Sequence, residues 1–171
     1  MATSLAISLR KRLSNARRVA LVGIGSQFRG DDACGLLVAE ELKKHTRFVF
    51  PSRRLKVFIG ATAPENLTGA IRPFKPDHII LVDAADFGKR PGFTRLVDPS
   101  EAQGTCFCTH QLPLQIMVDY LVRTMGCVVS IIGIQSASIA FGSPLGTAAA
   151  GAARELAKAI LAALKTRPRD T

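Results

Sequence analysis

Two adjacent carboxylates, Asp31 and Asp32, follow the glycine-rich stretch Gly23-Ile24-Gly25-Ser26-Gln27-Phe28-Arg29-Gly30. A further acid, Asp83, closes the apolar run Ile79-Ile80-Leu81-Val82, with Asp86 just beyond it. His110 precedes a proline in Thr109-His110-Gln111-Leu112-Pro113. One acid of the pair, Asp83 and His110 offer two hard oxygen donors and one borderline nitrogen. That set suits a divalent first-row ion such as nickel or zinc, with water filling the open positions. Each residue also has an ordinary structural use. Asp ranks among the best helix N-caps, and one of the pair is expected to cap the helix that follows. Asp83 can simply end a strand, and a lone histidine is more often structural. What raises the three above those uses is where the surrounding elements place them.

Val19-Ala20-Leu21-Val22 reads as a buried strand ending at Gly23. The glycine-rich loop leads to a helix opening at Asp31 or Asp32, with Leu36, Leu37, Val38, Ala39 and Leu42 at helical spacing and Lys43 and Lys44 at its end. Residues 55–59 and 78–82 read as strands, with a short helix in 64–74 between them. A short strand at 93–97 follows the Pro91-Gly92 turn too closely for a helical crossover, so it is expected to run antiparallel. A helix over 113–125, a strand over 128–134 and an Ala-rich helix over 146–164 complete the chain. This order predicts an α/β three-layer sandwich: a mostly parallel twisted sheet of about five strands with helices on both faces. Ligands in such sheets bind outside the carboxyl ends of the strands. Asp32, Asp83 and His110 all fall just beyond strands or in the loops there. The expected domain spans 18–165, preceded by a basic extension over 1–17 and followed by a tail over 166–171. In the extension Leu5, Leu9 and Leu13 share one helical face.

Other chemistries fit poorly. Gly23-x-Gly25 begins like a dinucleotide fingerprint, but position 28 is Phe and no acid ends the second strand. There is no Gly-x-Ser-x-Gly elbow and no Walker A loop. Cys106, Cys108 and His110 alternate, so in an extended segment they share a face and could bind zinc, or Cys108 could act as a nucleophile beside His110. This is the runner-up to the carboxylates, because no matching cysteine pair exists elsewhere. With 47% hydrophobic residues and no Trp, the core is built from aliphatic side chains and Phe. No apolar run approaches the roughly 20 residues that span a bilayer, and the N-terminus shows no secretion signal. A cytoplasmic protein with no membrane contact is expected. Its four cysteines are then thiols or ligands rather than disulfides. The net charge of +10 invites nucleic acid as a partner. The basic residues, however, cluster in 10–18, 43–56 and 165–169, as termini and a loop around a helix end and not as one stripe with interleaved aromatics, which favours a solvated surface first, attraction to an acidic protein partner second, and no nucleic-acid binding.

Gly23-Ile24-Gly25-Ser26-Gln27-Phe28-Arg29-Gly30-Asp31-Asp32-Ala33-Cys34-Gly35 resembles the opening signature of the nickel–iron hydrogenase maturation endopeptidases. Ala63-Pro64-Glu65-Asn66, Ile80-Leu81-Val82-Asp83-Ala84-Ala85-Asp86-Phe87-Gly88 with Pro91-Gly92, and Thr109-His110-Gln111-Leu112-Pro113-Leu114 resemble the branch serving formate-hydrogenlyase-type hydrogenases. Ile132-Gly133-Ile134-Gln135 is similar to the family's late strand. The ordered set runs from about Val19 to Leu164.

The resemblance implies a single α/β sandwich and an endopeptidase that removes the C-terminal tail of a hydrogenase large-subunit precursor after nickel insertion. It implies that Asp32, Asp83 and His110 contact the metal and carry the catalysis. Nickel then belongs to the substrate precursor, zinc or another divalent ion can stand in for it in a crystal, and the free enzyme is a monomer. Ser26 replaces the family's Asn and Ala33 its Gly, which points to retuning more than loss. Two alternatives stand beside this reading: a non-catalytic metal- or partner-binding module on the same fold, and a hydrolase using Cys108 and His110.

Overall fold

The apolar runs form the strands β1 (Val19–Ile24), β2 (Leu55–Ala61), β3 (His78–Asp86), β4 (Thr94–Val97), β5 (Cys106–Phe107) and β6 (Val128–Gln135). They alternate with the helices α1 (Ala2–Leu13), α2 (Cys34–Val49), α3 (Thr68–Ile71), α4 (Leu114–Met125) and α5 (Thr147–Lys165). The computed structural model describes residues 2–49, 55–61, 64–97, 106–107 and 114–165. The strand order is β2-β1-β3-β6-β4. The first four of these run parallel, and β4 lies antiparallel on β6. Every residue of β1 is buried, as are all of β3 but Asp86 and all of β6 but Val128. Their unbroken apolar runs reflect that double coverage, since helices pack on both faces of a parallel sheet.

The alternation of side chains along β3 divides the interior in two. Ile80, Val82 and Ala84 pack with Leu9, Leu13, Val38, Leu42, Leu156 and Ile160, which come from α1, α2 and α5. Ile79 and Leu81 pack on the opposite face with Ile71, Met117, Val118 and Leu121, the last three from α4. Asp83 shares the parity of Ile79 and Leu81 and so belongs to the α4 face. The basic N-terminal stretch is a helix whose Leu9 and Leu13 are fully buried in the first of these cores.

Two details differ from the sequence-based expectation, the end of α2 and the strand β5, and one is borne out. α2 runs on to Val49, because nothing breaks it between Lys44 and Pro51. β4 is antiparallel as expected, and its partner is β6, with Thr94 opposite Ile134. β5 had no counterpart in the reading; it pairs antiparallel with the end of β3, Phe107 opposite Ala85 and Cys106 opposite Asp86. A strand of two residues carries too little pattern to announce itself.

Candidate functional site

The site begins where β1 stops. Gly23 lies beside Val82 in the parallel ladder, so the end of β1 and Asp83 on β3 are neighbours. On its other side Asp83 is level with Gly133 of β6. After Ile24 the chain turns through Gly25, whose φ of 131° lies in the region that favours glycine. A Cβ there would also strike the carbonyl of Asp32. The loop enters a short 3-10 turn, Gly30–Ala33, and then α2. Gly35 lets α2 start this close to the sheet: a Cβ on it would meet the carbonyls of both Ile24 and Val82. Close glycine packing thus brings the acid-bearing turn onto the ends of β1 and β3.

Asp32 and Asp83 are both fully buried. Asp83 Oδ1 accepts a 2.8 Å hydrogen bond from the amide of Ala84. Cys34, the first residue of α2, is buried nearby. Burial pushes its thiol well above the ordinary range, and the charges of Asp83, Asp32 and Asp31 raise it further. A thiol held protonated in the core is a poor nucleophile and a poor metal ligand. The turn carrying Asp32 and the strand end carrying Asp83, some fifty residues apart in sequence, thus lie at the same carboxyl edge of the sheet.

Asp31 has a different task. Its Oδ2 accepts a 2.6 Å hydrogen bond from Ala137 N, and its Oδ1 accepts one of 2.7 Å from Gly146 N. Gly146 directly precedes α5, so this carboxylate sits at the positive end of a helix far away in sequence. The expectation that one acid of the pair caps the following helix is corrected accordingly. The residue before that turn, Arg29, makes no side-chain cap, and Asp31 binds the amides before α5 instead.

Gln135, singled out only as part of a family-like strand, organises the neighbouring loop. Its Oε1 accepts from Phe87 N at 2.7 Å and Lys89 N at 3.1 Å, and its Nε2 donates to Asp86 Oδ1 at 3.1 Å. Donation from Gly88 N and from Gln135 holds the Asp86 carboxyl below its usual range, which marks Asp86 as a loop brace. The available sequence signal was a polar side chain ending an otherwise apolar strand. Ser26, at the family's Asn position, accepts a 3.3 Å hydrogen bond from Phe28 N and so supports the turn.

Of the three residues proposed from the sequence, Asp32 and Asp83 fall at the same edge of the sheet, and His110 lies outside the described residues, as does Cys108. Among the described residues no three His, Cys, Asp or Glu side chains are grouped to hold a metal. A cavity of about 700 Å³ opens between α1, the 90–94 turn and α5, and neither Asp32 nor Asp83 lines it. No helix among the described residues is long and apolar enough to cross a membrane.

The family model HycI, described as hydrogenase maturation protease, matches residues 36–163. The chain belongs to the hydrogenase maturation protease family. These proteins are hydrolases that cut a peptide bond. The matched span begins just after the acid pair, and solved structures extend the similarity beyond it. The crystal structure of a nickel–iron hydrogenase maturation protease HycI from Thermococcus kodakarensis superposes with a TM-score of 0.82 at 34% identity, covering 92% of this chain and 99% of that one. The solution structure of an endopeptidase HycI from Escherichia coli gives 0.72 at 31% identity, covering 82% and 87%. In sequence, the Escherichia coli hydrogenase 3 maturation protease is 35% identical over 126 residues, 73% of this chain and 77% of that protein.

Proposed function

We propose that this chain removes the C-terminal tail of a nickel–iron hydrogenase large-subunit precursor once nickel is in place, and that Asp32, Asp83 and His110 meet that nickel. The observation carrying the reading is the pair of fully buried carboxylates, Asp32 and Asp83, from separate segments at the carboxyl edge of a protease fold. Phe107 lies opposite Ala85, two residues beyond Asp83.

Two carboxylates and one imidazole leave coordination positions open, and structural sites more often close at four ligands. A nickel ion held by the precursor's own groups can fill those positions from the substrate side. The attraction between a dication and carboxylates strengthens in a water-poor corner. Docking then reports that nickel insertion is finished. In the hydrolysis, water oxygen bonds to the scissile carbonyl carbon, the carbon–nitrogen bond breaks, and the amine leaves with a proton. A carboxylate at this corner takes the proton from the attacking water. A cation beside the carbonyl oxygen stabilises the charge that develops there.

The proposed setting is the cytoplasm, in keeping with the free buried thiols of Cys34 and Cys127, and the proposed free state is a monomer. Mass spectrometry of a nickel-loaded precursor incubated with the purified protein tests the reading. One C-terminal fragment is expected, with a short peptide spanning the same bond left nearly uncut. Rapid hydrolysis of that peptide would show that the metal-bearing fold is not what the site recognises.

A further inference from the structure

Phe28 and Phe141 stand at the tips of two loops beside the acid corner, 58% and 81% exposed. Single exposed apolar residues are ordinary on a protein surface. These two converge: their ring centroids are 6.5 Å apart with the planes tilted by 34°. Their backbones are also fixed. Gly142 N donates to Phe28 O at 2.8 Å, Gly30 N to Ser143 O at 3.0 Å, and Asp31 N to Ser138 O at 2.9 Å. The Asp31 carboxylate adds its bonds to Ala137 N and Gly146 N. The rings therefore ride on one hydrogen-bonded platform, shared with the turn that carries Asp32.

We propose that the Phe28–Phe141 pair is a docking contact for the hydrogenase large-subunit precursor, receiving an apolar side chain of that substrate. The proposal rests on the reading of the site given above. Asp32 N donates to Arg29 O at 3.1 Å, so the turn bearing Asp32 continues directly from Phe28. A protein whose bond is cut at this edge must lie across these loops. Preordered aromatic rings lose little conformational freedom on binding and supply a large contact area, which is how a few residues come to dominate an interface. A second copy of the chain seated on the rings would crowd the edge where the substrate belongs.

The test compares wild type, the double variant Phe28→Ser/Phe141→Ser, the conservative variant Phe28→Leu/Phe141→Leu, and Val128→Ser. Val128 is 55% exposed and lies at the opposite edge of the sheet. Affinity for a nickel-loaded large-subunit precursor is measured by calorimetry, alongside kcat/KM for tail removal and the thermal midpoint. The double serine variant should bind about 10- to 100-fold more weakly and lose kcat/KM by the same factor, with an unchanged midpoint. The leucine variant should recover most of the affinity, and Val128→Ser should match wild type. Unchanged affinity in the double serine variant would overturn the proposal. So would sedimentation showing that the rings hold a dimer while precursor binding is untouched. Binding that depends on the rings without any cleavage would sustain the docking contact and fail the endopeptidase reading. Absence of binding by wild type would overturn both.

Discussion

The two edges of the sheet use polar groups differently. At the amino edge they serve the fold. Asp77 accepts the amides of Arg17 at 2.9 Å and Arg18 at 3.0 Å, tying the end of the α1 segment to the start of β3. His78, buried beside it, shares a 2.9 Å hydrogen bond with Ser130 on β6. Burial lowers its pKa from 6.5 to about 4, which keeps the ring neutral. At the carboxyl edge the tasks divide between adjacent residues. Asp31 joins the loop ahead of α5 to the first loop, while Asp32 and Asp83 are fully buried and the charges of all three raise the Cys34 thiol. Gathering like charges in a core costs stability, so this edge is where function would be expected to set the arrangement.

Substitutions can break that contrast. The largest effect is expected from Asp32→Asn or Asp83→Asn, which keep side-chain size and remove one charge. Tail removal should fall at least ~100-fold, while urea unfolding shows stability kept or raised, because one of the gathered charges leaves the core. A loss of folding that matches the loss of activity would make these acids structural. Asp31→Ala should do the reverse. It leaves the amides of Ala137 and Gly146 without their charged acceptor, at a cost of roughly 4 kcal/mol in urea unfolding. Residual tail removal should then follow the folded fraction. If Asp31→Ala leaves stability untouched, the division of labour between the two acids fails.

His78 sharpens the amino-edge half of the comparison. Above pH 6.5 the ring is neutral in both folded and unfolded chains. As pH falls below 6.5 the unfolded chain takes up a proton that the folded chain refuses until about pH 4. Stability should therefore drop across that window and level off below it, by at most roughly 3 kcal/mol. His78→Gln should flatten this part of the stability profile with little effect on tail removal. An unchanged slope would show that other groups set it.

Much of the architecture was legible because continuous apolar runs mark parallel strands covered on both faces, as in β1, β3 and β6. Asp32 and Asp83 were legible for the same reason, since each follows such a run. Asp31 was not. Its partners lie 106 and 115 residues away, and local spacing suggested only a helix cap. The Phe28–Phe141 pair was hidden in the same manner, because its rings meet only after two distant loops are hydrogen-bonded together. Gln135 fell just past the strand expected over 128–134, yet its amide joins Asp86 at the end of β3 to two amides of the loop that follows. Contacts between loops depend on the assembled sheet, and residue spacing within one segment does not encode them.

We propose that the metal is read on the substrate. Metal-stripped protein should be incubated with nickel-loaded and with nickel-free large-subunit precursor, and C-terminal fragment release followed over time by mass spectrometry. Trimming of the nickel-loaded precursor alone is expected, without metal added to the enzyme. Equal trimming of both precursors, or trimming of the loaded one only after the enzyme is given its own metal, would contradict it.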